Sequence, residues 1–296
     1  EKFVTLETQT ILWAFLAAFL AASTNVTLAR VLAQVGSFTL AQIANIGNAV
    51  FLGIYGLWIF GISIFRWEAF AWFGVLGVTN FCMNRWVFYN GMKAMGPSRH
   101  VTITSMVPLP TLLVAVLVLG ERPGPLVLMG TALVVAGVVT ACYSPSKGRW
   151  FQAGIGWSLT SMLVFAGGGY MRNRGMNIMS ESALLTAWAA LVAVPTGEMF
   201  RTVFPKRILS WERVGWSLVP LIVLGIIFNS VHQVVMNISL KGQISLAIPI
   251  MSSTPVFVMI LSSIFLRDLE RLNARVVVGI LITFMGMAAI GFGRYG

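Results

Sequence analysis

Apolar residues along this chain come in long blocks rather than in alternation, and charge, proline and glycine gather between the blocks. Each block runs to about 20 residues, enough for a helix to cross a hydrocarbon layer of about 30 Å. The pattern predicts ten such helices, at roughly 9–31, 38–61, 70–92, 97–119, 124–143, 152–173, 180–203, 213–239, 244–266 and 272–291. The alternating segments of about 10 residues that a transmembrane barrel needs do not occur. Connections are short, and the one rich in charge is RTVFPKRILSWER, residues 201–213. No stretch between blocks is suited to fold in water, so residues 1–296 read as a single all-α polytopic membrane domain.

The blocks repeat. A shift of 147 residues sets Asn90 on Asn237, Ser98 on Ser245, Pro108 on Pro255 and Glu121 on Asp268, with VPLPTLLVAVLVLGE lying over STPVFVMILSSIFLRD. A shift of 149 sets Gly130 on Gly279 and Gly137 on Gly286, and one of 144 sets Trp13 on Trp157 and Arg30 on Arg174. The order holds through both halves, which gives repeat units of about 1–145 and 146–296. Five spans is an odd number, so the second unit enters the bilayer from the opposite face. Such an inverted 5+5 repeat places a binding site near the midplane between units.

Composition agrees with the blocks. The chain is 57% hydrophobic and 10% charged with a mean hydropathy of +0.86; soluble domains carry about 25% charge. The net charge of +11 is scattered over loops, which fits a membrane surface and predicts no nucleic-acid partner. The first block has neither a charged start nor a small-residue cleavage site, so no cleavable signal is predicted. Cys82 and Cys142 fall inside blocks, with no C-x-x-C, and read as packing residues.

Polar residues inside the blocks are costly in lipid and point to an interior site. In the third block Asn80, Asn84 and Phe88 share a helical face, and Phe81, Arg85 and Tyr89 form the next stripe. In the eighth, Asn229, Gln233 and Asn237 repeat the spacing beside Phe228, His232 and Met236. The 147-residue shift sets Arg85 opposite His232. Two roles stand open for Arg85: a snorkelling anchor that bonds carbonyls, or a cavity cation that takes a substrate acid group. His232 likewise either packs on a carbonyl or contacts substrate. The fourth and ninth blocks carry Ser105 and Ser252 beside Pro108, Pro110, Pro249 and Pro255, which are candidate hinges because proline removes a backbone donor. Trp13, Trp157 and Tyr170 are candidate cavity-wall residues, and Gly167, Gly168 and Gly169 permit close helix approach or a bend.

Taken together, Trp13 to Arg30 and Trp157 to Arg174, then GPSRHVTITSMVPLPTLLVAVLVLGE and GQISLAIPIMSSTPVFVMILSSIFLRD, then the glycine-spaced closing spans resemble the drug/metabolite transporter superfamily with its EamA-type repeats. The likeness covers nearly the whole chain and extends to YddG-like exporters of amino acids and metabolites. It implies a ten-helix basket, a central cavity and alternating access in the cell's inner (plasma) membrane. Arg172 and Arg174 are read as flanking cations on the face that carries the termini. More Lys and Arg fall on the opposite face, so the positive-inside rule puts both termini outside, whereas the resemblance implies cytoplasmic termini.

Chemistry is bounded by what is scarce. Asp268 is the one Asp in the chain, and His100 and His232 have no acidic neighbour in an H-E-x-x-H arrangement. No metal, cofactor or catalytic site is predicted, and an intramembrane enzyme is a remote alternative. The first span has no carboxylate to attract an organic cation. The expected activity is export of small zwitterionic or anionic metabolites, amino acids including aromatic ones foremost, by a chain that is monomeric. Phosphorylated or nucleotide-type metabolites and drugs are the alternatives.

Overall fold

The computed structural model of the chain describes residues 2–61, 66–110, 124–142, 153–204, 209–241, 247, 250–269 and 273–293. Regular structure among them is helical, as apolar blocks require when no water is present to satisfy the backbone. The helices are α1 (Lys2–Leu32), α2 (Ser37–Phe60), α3 (Trp67–Leu76), a π-helical segment (Gly77–Asn84), α4 (Arg85–Met95) and α5 (Pro97–Thr104). They continue with α6 (Pro125–Cys142), α7 (Ala153–Ile178), α8 (Ser182–Val203), α9 (Val219–Lys241), α10 (Thr254–Phe265) and α11 (Ala274–Gly293). Four stretches, Gln9–Leu32, Ser37–Phe60, Ser182–Val203 and Trp216–Leu240, are long and apolar enough to cross a membrane. Shorter apolar helices span Pro125–Ala141, Thr254–Phe265 and Ala274–Ile290.

The bundle is apolar outside and partly polar inside. Trp58 is 82% exposed and Ile54 67%, while Asn45, Asn48, Ser158 and Thr186 are fully buried. In water that distribution would be costly; in lipid it is the expected one. Helices from the first part of the chain pack mainly on helices from the second: α1 on α9 and α10, α2 on α8, α4 on α7, α6 on α11. The α6–α11 seam is close because glycines meet. A Cβ on Gly130 would fall 2.7 Å from the Gly286 carbonyl oxygen, and one on Gly279 2.7 Å from that of Gly137.

Three blocks that read as continuous helices are interrupted. In the third, the Arg85 N–H bonds to the Asn80 carbonyl five residues back, the π-type pattern. Gly77 lets this segment touch α8, where a Cβ would lie 2.5 Å from the Ala189 oxygen. In the fourth, α5 stops at Thr104 and the chain turns through Ser105 to Val107, because Pro108 and Pro110 bring no N–H to continue the ladder. In the ninth, α10 starts at Thr254 with Pro255 in its first turn, where the missing donor costs nothing. Pro249, Glu121 and the 111–119 part of the fourth predicted span lie outside the described residues. A further correction concerns Arg172 and Arg174. Helix α7 continues to Ile178, so both lie within it, and Arg172 is only 6% exposed. Acceptors on α9 make that burial tolerable.

Candidate functional site

Where α1, the π segment, α4, α5, α7, α9 and the turn before α10 converge, they line a partly open cavity of about 250 Å³. Of the residues singled out in the sequence, Arg85, His232, Asn80, Asn84, Phe81, Phe88, Tyr89, Gln233, Ser105 and Ser252 line it. Phe228, Trp13, Trp157 and Tyr170 are not in its wall. Trp157 instead packs edge-on against Trp86 with ring centres 5.3 Å apart, and Tyr170 against Trp72 at 5.9 Å. The backbone breaks have a visible result, since they bring Ser105 and Ser252 to the cavity on either side.

The π segment explains how Arg85 is held. Its wide turn takes the Arg85 amide to the Asn80 oxygen, and the Phe81 carbonyl accepts instead from Asn45 Nδ2 at 3.0 Å. The same Asn45 turns its Oδ1 to Arg85 Nη1 at 2.7 Å, and Asn229 Oδ1 accepts from Arg85 Nη2 at 3.1 Å. Asn229 Oδ1 also accepts from Asn48 Nδ2 at 2.7 Å, and Asn48 Oδ1 accepts from the Ser230 hydroxyl. With 8% exposure and these partners, Arg85 does not reach for an interface. It joins α2, α4 and α9 and faces the cavity.

A second guanidinium stands beside it. Arg172 donates through Nη1 to Asn237 Oδ1 at 2.7 Å and through Nη2 to Gln233 Oε1 at 2.8 Å. Asn237 is fixed in turn by donating to the Ser182 and Thr186 hydroxyls, both at 2.9 Å. The two guanidinium carbons share one aromatic ring, 4.9 Å (Arg85) and 5.6 Å (Arg172) from the Phe81 centre. They are therefore at most the sum of those distances, about 10.5 Å, apart. Two unit charges at that limit repel by about 1.6 kcal/mol at an effective dielectric near 20. The ring faces relieve part of this.

His232 bonds to a carbonyl and also lines the cavity. Its Nδ1 donates to the Ala17 carbonyl at 2.9 Å, which fixes the ring on α1 and leaves Nε2 for other partners. Asn84, 1% exposed, is the exception to a well-bonded wall: both atoms of its amide are buried without a partner. Around these polar groups Phe81, Phe88, Tyr89 and Phe165 supply apolar surface.

Among the described residues no carboxylate lines the cavity, while Arg85, Arg172 and His232 do. The ion pairs among the described residues, Arg30–Asp268 and Arg201–Glu198, each at 2.6 Å, lie elsewhere. The Arg30 hydrogen bond holds the exposed Asp268 carboxyl below the usual Asp range. The cavity thus offers positive charge, hydrogen-bond donors and aromatic walls to a small solute. Among the described residues no cluster of His, Cys, Asp and Glu is suited to a metal.

Arg172, Asn25, Thr24, Phe165 and Asn229 also line the cavity. Asn229 carried a sequence signal through its i, i+4, i+8 series with Gln233 and Asn237. Arg172 carried a weaker one, lying two residues before the repeat-matched Arg174, close to the expected end of a span.

A crystal structure of another protein superposes with a TM-score of 0.66 over 95% of this chain and 96% of that one. At 16% identity the likeness is one of fold. An "Uncharacterized transporter" of Archaeoglobus fulgidus is 37% identical over 99 residues, which span 32% of this chain and about a third of that relative, 34%. Residues 8–143, which include Arg85 and the π segment, are similar to the EamA-like transporter family.

Proposed function

We propose that this chain is a secondary transporter that exports small anionic or zwitterionic metabolites, amino acids including aromatic ones, by alternating access through the central cavity. One observation carries the reading: Arg85, Arg172 and His232 line an aromatic-walled cavity to which no described residue brings a carboxylate. Such a wall attracts an acid group and repels an organic cation. The similarity of residues 8–143 to a transporter family supports the same class.

The inverted repeat is part of the proposal, with units of about 1–145 and 146–296. Exchanging the two units turns the α1–α9 contact into α7–α4 and α1–α10 into α7–α5, and both kinds occur. The exchange maps α2–α8, α5–α10 and α6–α11 onto themselves, and these pairs also pack. The exchange also turns the Gly130–Gly286 approach into the Gly137–Gly279 one, and both occur. A carrier of this design rocks one unit against the other around a fixed site, in the inner (plasma) membrane.

The test is uptake of radiolabelled amino acids and organic acids by proteoliposomes that contain the purified chain. Saturable flux above that of empty liposomes is expected for at least one acid-bearing solute. Arg85→Ala should lower it by tenfold or more, with Arg85→Lys in between. Undiminished transport of every solute by Arg85→Ala, or no flux at all, sinks the proposal.

A further inference from the structure

We infer that the cavity is built for a solute with two acidic charges, a dicarboxylate or a phosphate monoester, and that Arg172 is the group that recognises the second charge. The inference deepens the proposed reading of this same cavity and rests on it. Arginine stays charged in proteins, and here two of them are buried on one aromatic ring, at most about 10.5 Å apart, the sum of their distances from it. Each is held by amide oxygens, Asn45 and Asn229 for Arg85 and Asn237 and Gln233 for Arg172. Amide oxygens orient a guanidinium without cancelling its charge.

A buried charge without a counter-charge is costly, and the cavity contains two. A solute with one carboxylate leaves one guanidinium uncompensated and a neutral amino acid adds an ammonium besides. A solute with one acid group for each guanidinium, or one doubly charged phosphate between them, compensates both. Asn84 points the same way by a different route. Its Nδ2 and Oδ1 are buried in the cavity wall without partners, although buried polar atoms normally have them. They offer the two N–H donors of an amide and its carbonyl acceptor to a polar group next to the Arg85 end. The cavity volume of about 250 Å³ lies just under the range of about 300–1,000 Å³ usual for drug-sized ligands, which suits a small metabolite.

The experiment compares solutes that differ by one acid group, glutamate with the isosteric glutamine and O-phosphoserine with serine. Thermal stabilisation of the purified full chain in detergent is titrated with each, and proteoliposome uptake is run in parallel. Glutamate or O-phosphoserine should have an apparent affinity about tenfold or more above its neutral partner. Preference in the glutamate pair alone assigns two separate carboxylates, and preference in the phosphoserine pair alone assigns a phosphate. Arg172→Gln should abolish the preference, and Arg172→Lys, which keeps the charge, should retain it even if the glutamine variant does not fold. Equal affinity within both pairs, no stabilisation by any of the four, or loss of the preference in Arg172→Lys overturns the inference. Saturable flux of neutral amino acids that glutamate and O-phosphoserine leave unchanged overturns it while transport stands. Selective glutamate binding without flux sinks transport and leaves the two-charge site standing.

Discussion

Replacing Asn229 by Asp separates holding an arginine from leaving it charged. Among the described residues, Asn229 uses Oδ1 for both of its hydrogen bonds, from Arg85 Nη2 at 3.1 Å and Asn48 Nδ2 at 2.7 Å. A carboxylate oxygen at that place accepts both, so the web that joins α2, α4 and α9 persists. The difference is charge: beside a guanidinium at 3.1 Å the new carboxyl is ionised, and Arg85 then has a permanent counter-ion. A ligand acid group must compete with it, and forfeits a charge-assisted bond of about 1.5–3 kcal/mol, or about 10–150-fold in affinity. Asn229→Ala does the reverse. It strands Arg85 Nη2 and Asn48 Nδ2 in a buried place, and should lower stability by about 2–5 kcal/mol. The assay is thermal unfolding in detergent with and without glutamate. Asn229→Asp should melt near the parent and lose most of the glutamate-induced shift, while Asn229→Ala should melt well below it. A parental glutamate affinity in Asn229→Asp would refute the reasoning, as would melting that matches Asn229→Ala.

Gly168→Ala would put a methyl group 2.6 Å from Asn80 Oδ1 and force the Asn80 side chain out of its place against α7; a loss of about 1–3 kcal/mol is expected. Gly167→Ala meets nothing within 4 Å and should gain up to about 1 kcal/mol from helix propensity, so equal melting temperatures for the two variants would contradict the packing described. The Asp268 carboxyl is depressed by its hydrogen bond from Arg30. The stability this pair contributes is present above the unfolded carboxyl value near 3.9 and is lost as pH falls through the lower folded value. The melting difference between the parent and Asp268→Asn should therefore be present at pH 6, shrink on acidification below pH 4 and fall with added salt; a difference that grows on acidification would refute the assignment.

Much of the helix order was legible because a block of about 20 apolar residues has one economical conformation in lipid. The interruptions were less so. A proline announces a break, and Pro108 and Pro255 sit at real ones, but the π segment has no comparable local mark. Its cause is tertiary: Gly77 against α8, and Asn45 ready to donate to the bypassed Phe81 carbonyl. The same gap separates the two arginines. Arg85 stood out because it lies mid-block among aromatics. Arg172 lies near a boundary that sequence places only to within several residues, and its burial depends on Gln233 and Asn237 arriving from another helix. The 147-residue shift singled out His232 as the counterpart of Arg85. Space instead brings Arg172 to the same aromatic ring as Arg85, while His232 serves another wall of the cavity. Trp13 and Tyr170 show the complementary weakness, since an aromatic residue at a span end reads alike whether it faces lipid, another ring or a cavity.

The amide clamps on Arg85 and Arg172 have a consequence for the entropy of recognition. A free arginine carries about 2 kcal/mol of rotamer entropy, and a ligand that must order such a side chain gives up about 0.5–1.5 kcal/mol for each one. Here Asn45, Asn229, Gln233 and Asn237 have already fixed both guanidiniums before any solute arrives, so that loss is met when the chain folds. The web behind the cavity wall holds the site rigid, and an incoming acid meets two guanidiniums already aimed and still charged.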